Sequence, residues 1–149
     1  MRRRAFAALL GALPLAAAAQ QTETASAFVN AIYQPYQRKG FQGQPYTEAE
    51  RYFEPALAAA MRGDQAAAKQ RNEVPLLNGD PFIDAQEWEI TSLSIAVTSQ
   101  GDRASAGVAL VNLGKPYAVA LTLIQTPAGW RIVEILAPSG SLRGLYKLR

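Results

Sequence analysis

Apolar residues change their spacing once along this chain, from a helical period to an alternating one, and the change falls near residue 80. Between Thr22 and Lys39 the apolar positions are Ala25, Phe28, Val29, Ile32, Tyr33 and Tyr36, spaced i, i+3, i+4, i+7. That spacing predicts a helix with one stripe facing a core. Thr22 or Thr24 suits its N-cap and Gly40 the position after its end, while Pro35 is expected to kink or loosen the last turn. Residues 40–46 read as a loop. Thr47-Glu48-Ala49-Glu50 has the form of a capping box, predicting a short helix near 48–53. Pro55 fits the first position of a longer helix over about 55–71, with Gly63-Asp64 weakening its centre.

Asn78-Gly79-Asp80-Pro81 is a turn, and beyond it the pattern alternates. Trp88–Ser99, Arg103–Leu113, Tyr117–Thr126 and Trp130–Leu136 read as four strands joined by short turns at Gly101-Asp102, Gly114-Lys115-Pro116 and Pro127-Ala128-Gly129. The later strands are apolar on both faces, with Val119, Leu121 and Leu123 opposed to Ala118, Ala120 and Ile124. One face is therefore expected on the helices and the other on a second layer or a partner. The tail from Ser141 to Tyr146 reads as a last short helix or strand. Helices followed by an antiparallel meander predict an α+β fold, N-terminal helices packed on a curved sheet of about four strands.

Composition sharpens this outline. The chain has 149 residues, 49% of them hydrophobic and 18% charged, the balance of a single globular domain. Met1-Arg2-Arg3-Arg4, the apolar run Ala5–Ala16 and the small residues Ala17-Ala18-Ala19 have the form of a signal peptide, residues 1–19, cleaved before Gln20. Residues 20–149 then form one exported domain, periplasmic or secreted, by a route that includes the twin-arginine option suggested by Arg3-Arg4-Ala5-Phe6. The chain as a whole carries 15 Lys+Arg against 12 Asp+Glu. Arg2, Arg3 and Arg4 leave with the signal and no acid does, so the remainder has 12 of each. With no basic surplus, a nucleic-acid partner is not expected, and the apolar run is too short for a permanent membrane span. The absence of Cys and His removes disulfides, thiolate nucleophiles and the commonest general base and metal ligand. No cofactor or metal site is expected.

Four short motifs carry a resemblance. They are Phe28-Val29-x-x-Ile32-Tyr33-x-x-Tyr36, Asp80-Pro81-Phe82-x-Asp84-Ala85-Gln86, Trp130-Arg131-Ile132 and Ser141-Leu142-Arg143. Together they resemble the bacterial family catalogued as domain of unknown function 3828, typically exported proteins or lipoproteins. This family is similar to the nuclear-transport-factor-2-like (cystatin-like) superfamily. The resemblance implies a cone of helices and curved sheet around a pocket, and it brings no established reaction. The missing Cys departs from the lipoprotein members and implies no lipid anchor.

Asp84, Gln86 and Trp88 stand at alternate positions entering the first strand, a spacing that turns all three to one side. Facing Tyr33 and Tyr36 across a pocket, they would make a polar-aromatic ligand site; as ordinary structure, Asp84 would cap a turn and the aromatics would be core. Arg143 is expected to close over the mouth, to pair with Asp84, or to stay a surface charge. The leading expectation is a non-catalytic domain binding a small ligand through Tyr33, Tyr36, Asp84, Gln86, Trp88 and Arg143. The alternatives are an interaction module that meets an envelope protein through its sheet face, and a small enzyme using Asp84 as base beside Tyr33 or Tyr36. A homodimer is compatible with each.

Overall fold

A computed structural model describes residues 23–45 and 48–149; the expected signal peptide, the Thr22 cap and the Thr47 capping box lie outside them. The order of elements is α1 (Ala25–Tyr33), a 3-10 turn (Gln34–Gln37), α2 (Ala49–Tyr52), α3 (Pro55–Arg71), β1 (Ile90–Gln100), β2 (Arg103–Asn112), β3 (Lys115–Thr126), β4 (Gly129–Ala137), β5 (Gly140–Ser141) and α4 (Leu142–Leu145). The five strands form one antiparallel sheet in the order β1-β2-β3-β4-β5. The helical N-terminal region packs on one face of it. The α+β architecture is therefore as read, with five strands rather than four. The additional one is the two-residue β5, too short to leave an alternating pattern.

Local chemistry explains the boundaries. Thr24 caps α1, its hydroxyl accepting from the Ala27 amide at 3.0 Å. Pro35 converts the end of that helix into a 3-10 turn. Glu54 caps α3 through both carboxylate oxygens, which accept from the Ala56 and Leu57 amides at 2.9 and 3.0 Å, while Pro55 takes the first position. The helix continues unbroken through Gly63-Asp64 for 17 residues. Asp64 turns away from it to accept from the Leu76 and Leu77 amides of the returning chain, at 2.9 and 3.1 Å. The helix ends where Asn72 adopts the left-handed conformation, φ +55°.

Between sheet and helices the space is filled. Phe28, Val29, Ile32 and Tyr33 from α1 share one buried core with Val108 and Leu110 of β2, Val119, Leu121 and Leu123 of β3, and Trp130, Ile132 and Ile135 of β4. Leu93, Ile95 and Val97 of β1, the strand beside α1, pack against it. The Trp130 indole donates to the Glu23 carbonyl at 3.0 Å, fixing the start of α1 to β4. On the opposite face Ser94, Ala96, Ser105, Gly107, Ala109, Ala118, Ala120 and Thr122 are exposed.

Candidate functional site

The crossover from α3 to β1 is pinned by a loop in which Asp80 and Ala85 face each other. The Asp80 amide donates to the Ala85 carbonyl at 2.8 Å and the return bond is 3.4 Å. Closing so short a loop needs a left-handed residue before Ala85, and Asp84 supplies it at φ +50°. This turn separates the two aspartates that the sequence places four apart. Asp80 points inward and is 4% exposed; Asp84 points out.

Asp80 sits in an aromatic cage. Tyr36, itself 2% exposed, donates its hydroxyl to Asp80 Oδ2 at 2.6 Å, and the Phe82 amide donates to Oδ1 at 2.9 Å. Burial raises the Asp80 carboxyl to about 6, against bonds from Tyr36 and from the Phe82 and Ile83 amides that favour the charged form. The Tyr36 hydroxyl is driven far above the usual phenol range, first by burial and then by the Asp80 charge and bond. Tyr33, fully buried, is raised for the same reason and by Asp80 and Tyr117. Its hydroxyl has no hydrogen-bond partner. Phe82 meets Tyr33 edge-on at 6.3 Å and stacks on Phe53 at 5.5 Å; Trp88 meets Tyr36 edge-on at 5.8 Å. Gly43, at φ +87°, backs directly onto this cage. A Cβ there would lie 2.8 Å from Asp80 Oδ2 and 3.2 Å from the Trp88 ring.

The six residues expected at a ligand site are thus distributed. Tyr33 and Tyr36 are core, and the carboxylate beside Tyr36 is Asp80 in place of Asp84. Asp84 instead accepts from the Ser139 amide at 3.0 Å and from its hydroxyl, tying the crossover to the loop after β4. Gln86 is exposed and donates to the Asn78 carbonyl at 3.2 Å. Strand pairing starts only at Ile90, so the alternation expected from residue 84 is not set by the sheet. Arg143 meets Glu54, not Asp84, at 2.7 Å, with side chains 20% and 17% exposed; the surface-charge expectation is replaced by a half-buried ion pair.

Open grooves flank the crossover, among them two that border the predicted site residues. One, of about 550 Å³, runs between Leu76, Pro81 and Asp84 on one side and Ile135, Ser139 and Leu145 on the other. The second, of about 860 Å³, is lined by Tyr36, Arg38, Phe41, Gln86, Trp88 and Glu89. Gln86 borders both. Neither groove includes Tyr33 or Arg143. Asp80 is only 4% exposed, yet it also lines the first of these grooves.

The positioning residues that the sequence reading passed over are polar side chains serving distant backbone. Asn112, buried at the end of β2, accepts from the Glu89 amide at 2.8 Å and donates to the Glu87 carbonyl at 3.2 Å. Tyr117 donates to the Ile83 carbonyl. Their signal was faint: Asn and Tyr at strand ends, adjoining a Gly turn. No helix among the described residues is long and apolar enough to cross a membrane.

No protein-family model and no curated protein matches the chain. Among solved structures it is similar to a chain of the type VI native effector-immunity complex Tae3-Tai3 from Ralstonia pickettii. The two share 22% identity at a TM-score of 0.54, over 77% of this chain and 95% of that one. At that identity the likeness describes the fold.

Proposed function

We propose that this is an exported, non-catalytic domain of the domain-of-unknown-function-3828 type that works by docking a partner protein on the outer face of its sheet. It would be built on a nuclear-transport-factor-2-like plan in which the cone is closed by its own side chains. One observation carries the reading. The volume in which such a cone would hold a ligand is occupied by Tyr33, Tyr36, Phe53, Phe82 and Trp130, all buried, whereas the centre of the outer face is open and uncharged. There the rows Ser94–Ala109–Ala118 and Ala96–Gly107–Ala120–Leu136 run across the strands. They form a flat surface of small side chains, with Leu136 at its margin 55% exposed. A surface of this kind gains more from a broad protein contact than from a small molecule, which needs concave walls. The similar fold of a chain solved in an effector-immunity complex, in company with a protein partner, supports the same reading.

The test is site-specific photocrosslinking in the envelope of the native host. A Cβ added at Gly107 meets nothing within 4 Å, so a photoreactive residue there leaves the fold intact. A discrete adduct from position 107 that Ala120→Arg removes is expected. No adduct at 107, or one indifferent to Ala120→Arg, overturns the reading. A tightly held small molecule in native mass spectra, lost in Trp88→Ala, would restore the ligand reading at the 860 Å³ groove.

A further inference from the structure

The two long edges of the sheet are treated differently. On β4, Phe53 pairs with Ile132, and the Glu54 amide donates to the Ile132 carbonyl at 2.9 Å. β5 covers the end of that edge at Leu136 and Ala137. On β1, among the described residues, backbone hydrogen bonds within the strand's central stretch reach only β2. The two-residue turn at Gly101-Asp102 makes Gln100 and Arg103 the closing pair. In an antiparallel ladder the amides and carbonyls of Leu93, Ile95, Val97 and Ser99 then point away from β2. Eleven residues from Ile90 to Gln100 form this edge, and none is charged, Pro or Gly. Sheet edges are ordinarily blunted by just those residues. The inward side chains Leu93, Ile95 and Val97 remain half-exposed, while their neighbours across the ladder, Leu110, Val108 and Ala106, are buried. The backbone of this edge lacks a hydrogen-bonding neighbour, and its inward side chains, packed on the core beside α1 and the 3-10 turn, are only partly covered.

We propose that the missing neighbour is β1 of a second copy of this chain, paired antiparallel about a two-fold axis through Ala96. The sequence of the strand selects this occupant because it reads nearly the same in both directions from Ala96. Ile95 and Val97 flank it, then Ser94 and Thr98, then Leu93 and Ser99. An isologous contact needs a self-complementary patch, and over residues 94–98 this strand sets apolar against apolar and hydroxyl against hydroxyl across the axis. In this register Ile95 lies opposite Val97 of the copy, and both carry outward-pointing backbone groups, so they form a hydrogen-bonded pair. Ser94 lies opposite Thr98, a favourable hydroxyl pair. Ala96 meets its own copy in a non-hydrogen-bonded pair, and no like charges meet anywhere along the contact. Two five-stranded sheets become one of ten strands, doubling the outer face. This inference stands apart from the partner-docking reading.

The chain has no Cys, which makes the register directly testable in the mature protein. In the proposed pair the Cβ atoms at position 96 lie about 4.5–5.5 Å apart, close to disulfide range. Ala96→Cys should therefore give a disulfide-linked dimer under mild oxidation at least about tenfold faster than Ala109→Cys, which lies on the same exposed face but away from the axis. The parent protein should sediment as a dimer at micromolar concentration. Ala96→Lys, placing two ammonium groups across the axis, should sediment as a folded monomer with an unchanged circular dichroism spectrum. A monomeric parent, a dimer that survives Ala96→Lys, or equal crosslinking at 96 and 109 would each overturn the proposal. Loss of the photoadduct at Gly107 would leave it untouched.

Discussion

The flank of the sheet at β4 and the flank at β1 show two ways of ending a sheet. At β4 the chain closes the edge with its own material: Phe53 and Glu54 at Ile132, β5 at Leu136 and Ala137. Side chains then lock the cover in place. Glu54 caps α3 and binds Arg143, while Glu134 accepts from the Ser141 hydroxyl at 2.6 Å and the Arg143 amide at 3.1 Å. At β1 no further strand pairs with the edge; α1 and the 3-10 turn pack beside it, and the residues pointing inward are only half-buried. The closed flank is thus tied by side-chain bonds, whereas the open flank is held by its ladder to β2 and by its packing on α1. The difference teaches where this fold tolerates change and where it invites contact.

The largest effect should come from the aromatic stack that supports the closed flank. Phe82 is 2% exposed and touches the rings of Tyr33, Tyr52 and Phe53. Phe82→Ala opens a cavity that these rings cannot collapse into, and should destabilise the domain by about 3–5 kcal/mol, read from the urea midpoint. A loss below about 1 kcal/mol would mean that the closed flank carries no more of the stability than the open one.

Next comes the Asp80 cage, which makes the crossover sensitive to pH. The folded carboxyl titrates at about 6 against an ordinary 3.8. Between those values the folded state holds a proton that the unfolded chain has released. The domain is thus stabilised by protonation as pH falls through 6 towards 4, and loses that contribution as pH rises above 6. The span corresponds to roughly 3 kcal/mol at most. Measured against Asp80→Asn, which does not titrate, the parent should gain stability from pH 7 to pH 4.5. A difference between the two proteins that is constant with pH would show that burial does not govern this group.

How much of this was legible follows from the same residues. Periods of 3.6 and 2 gave the helices and long strands nearly to their ends, because burial on one face writes itself into the sequence. The stop at Pro35 and the start at Pro55 were legible from backbone chemistry. Which aspartate faces inward was not, since it depends on the left-handed turn at Asp84, and four residues of irregular chain carry no period. Arg143 meets Glu54 across 89 residues of sequence, and no local pattern records such a pairing. The apolar outer face of β3 was readable as a surface awaiting cover, but an open edge on β1 becomes visible only once strand order is known.

Smaller again is the tie between Glu54 and Arg143. Glu54→Ala removes the α3 cap and leaves Arg143 half-buried without its partner, a loss of about 2 kcal/mol. Arg143→Met keeps the cap and much of the packing, and should lose no more than about 1 kcal/mol. The double mutant should resemble Glu54→Ala alone, because once Glu54 is gone Arg143 has only its weaker carbonyl contacts left to lose. Additive losses would place the stabilisation of this flank in the cap alone, with the ion pair contributing nothing.

The smallest effect belongs to the open edge, and its size is informative because it is small. Val97 is half-exposed and its outward amide bonds no other element, so Val97→Thr, which keeps the branched shape, should cost the monomer under about 1 kcal/mol. In a dimer joined at β1 the same change buries a hydroxyl against Ile95 of the copy. The loss should then grow with protein concentration, since dissociation and unfolding become linked. Thermal midpoints of the parent and Val97→Thr that separate on going from dilute to concentrated solution would show that the bare edge is bare only in the isolated chain. Midpoints that stay parallel would make it an edge that this protein leaves open, guarded by its twist and by the bulge near Ile90.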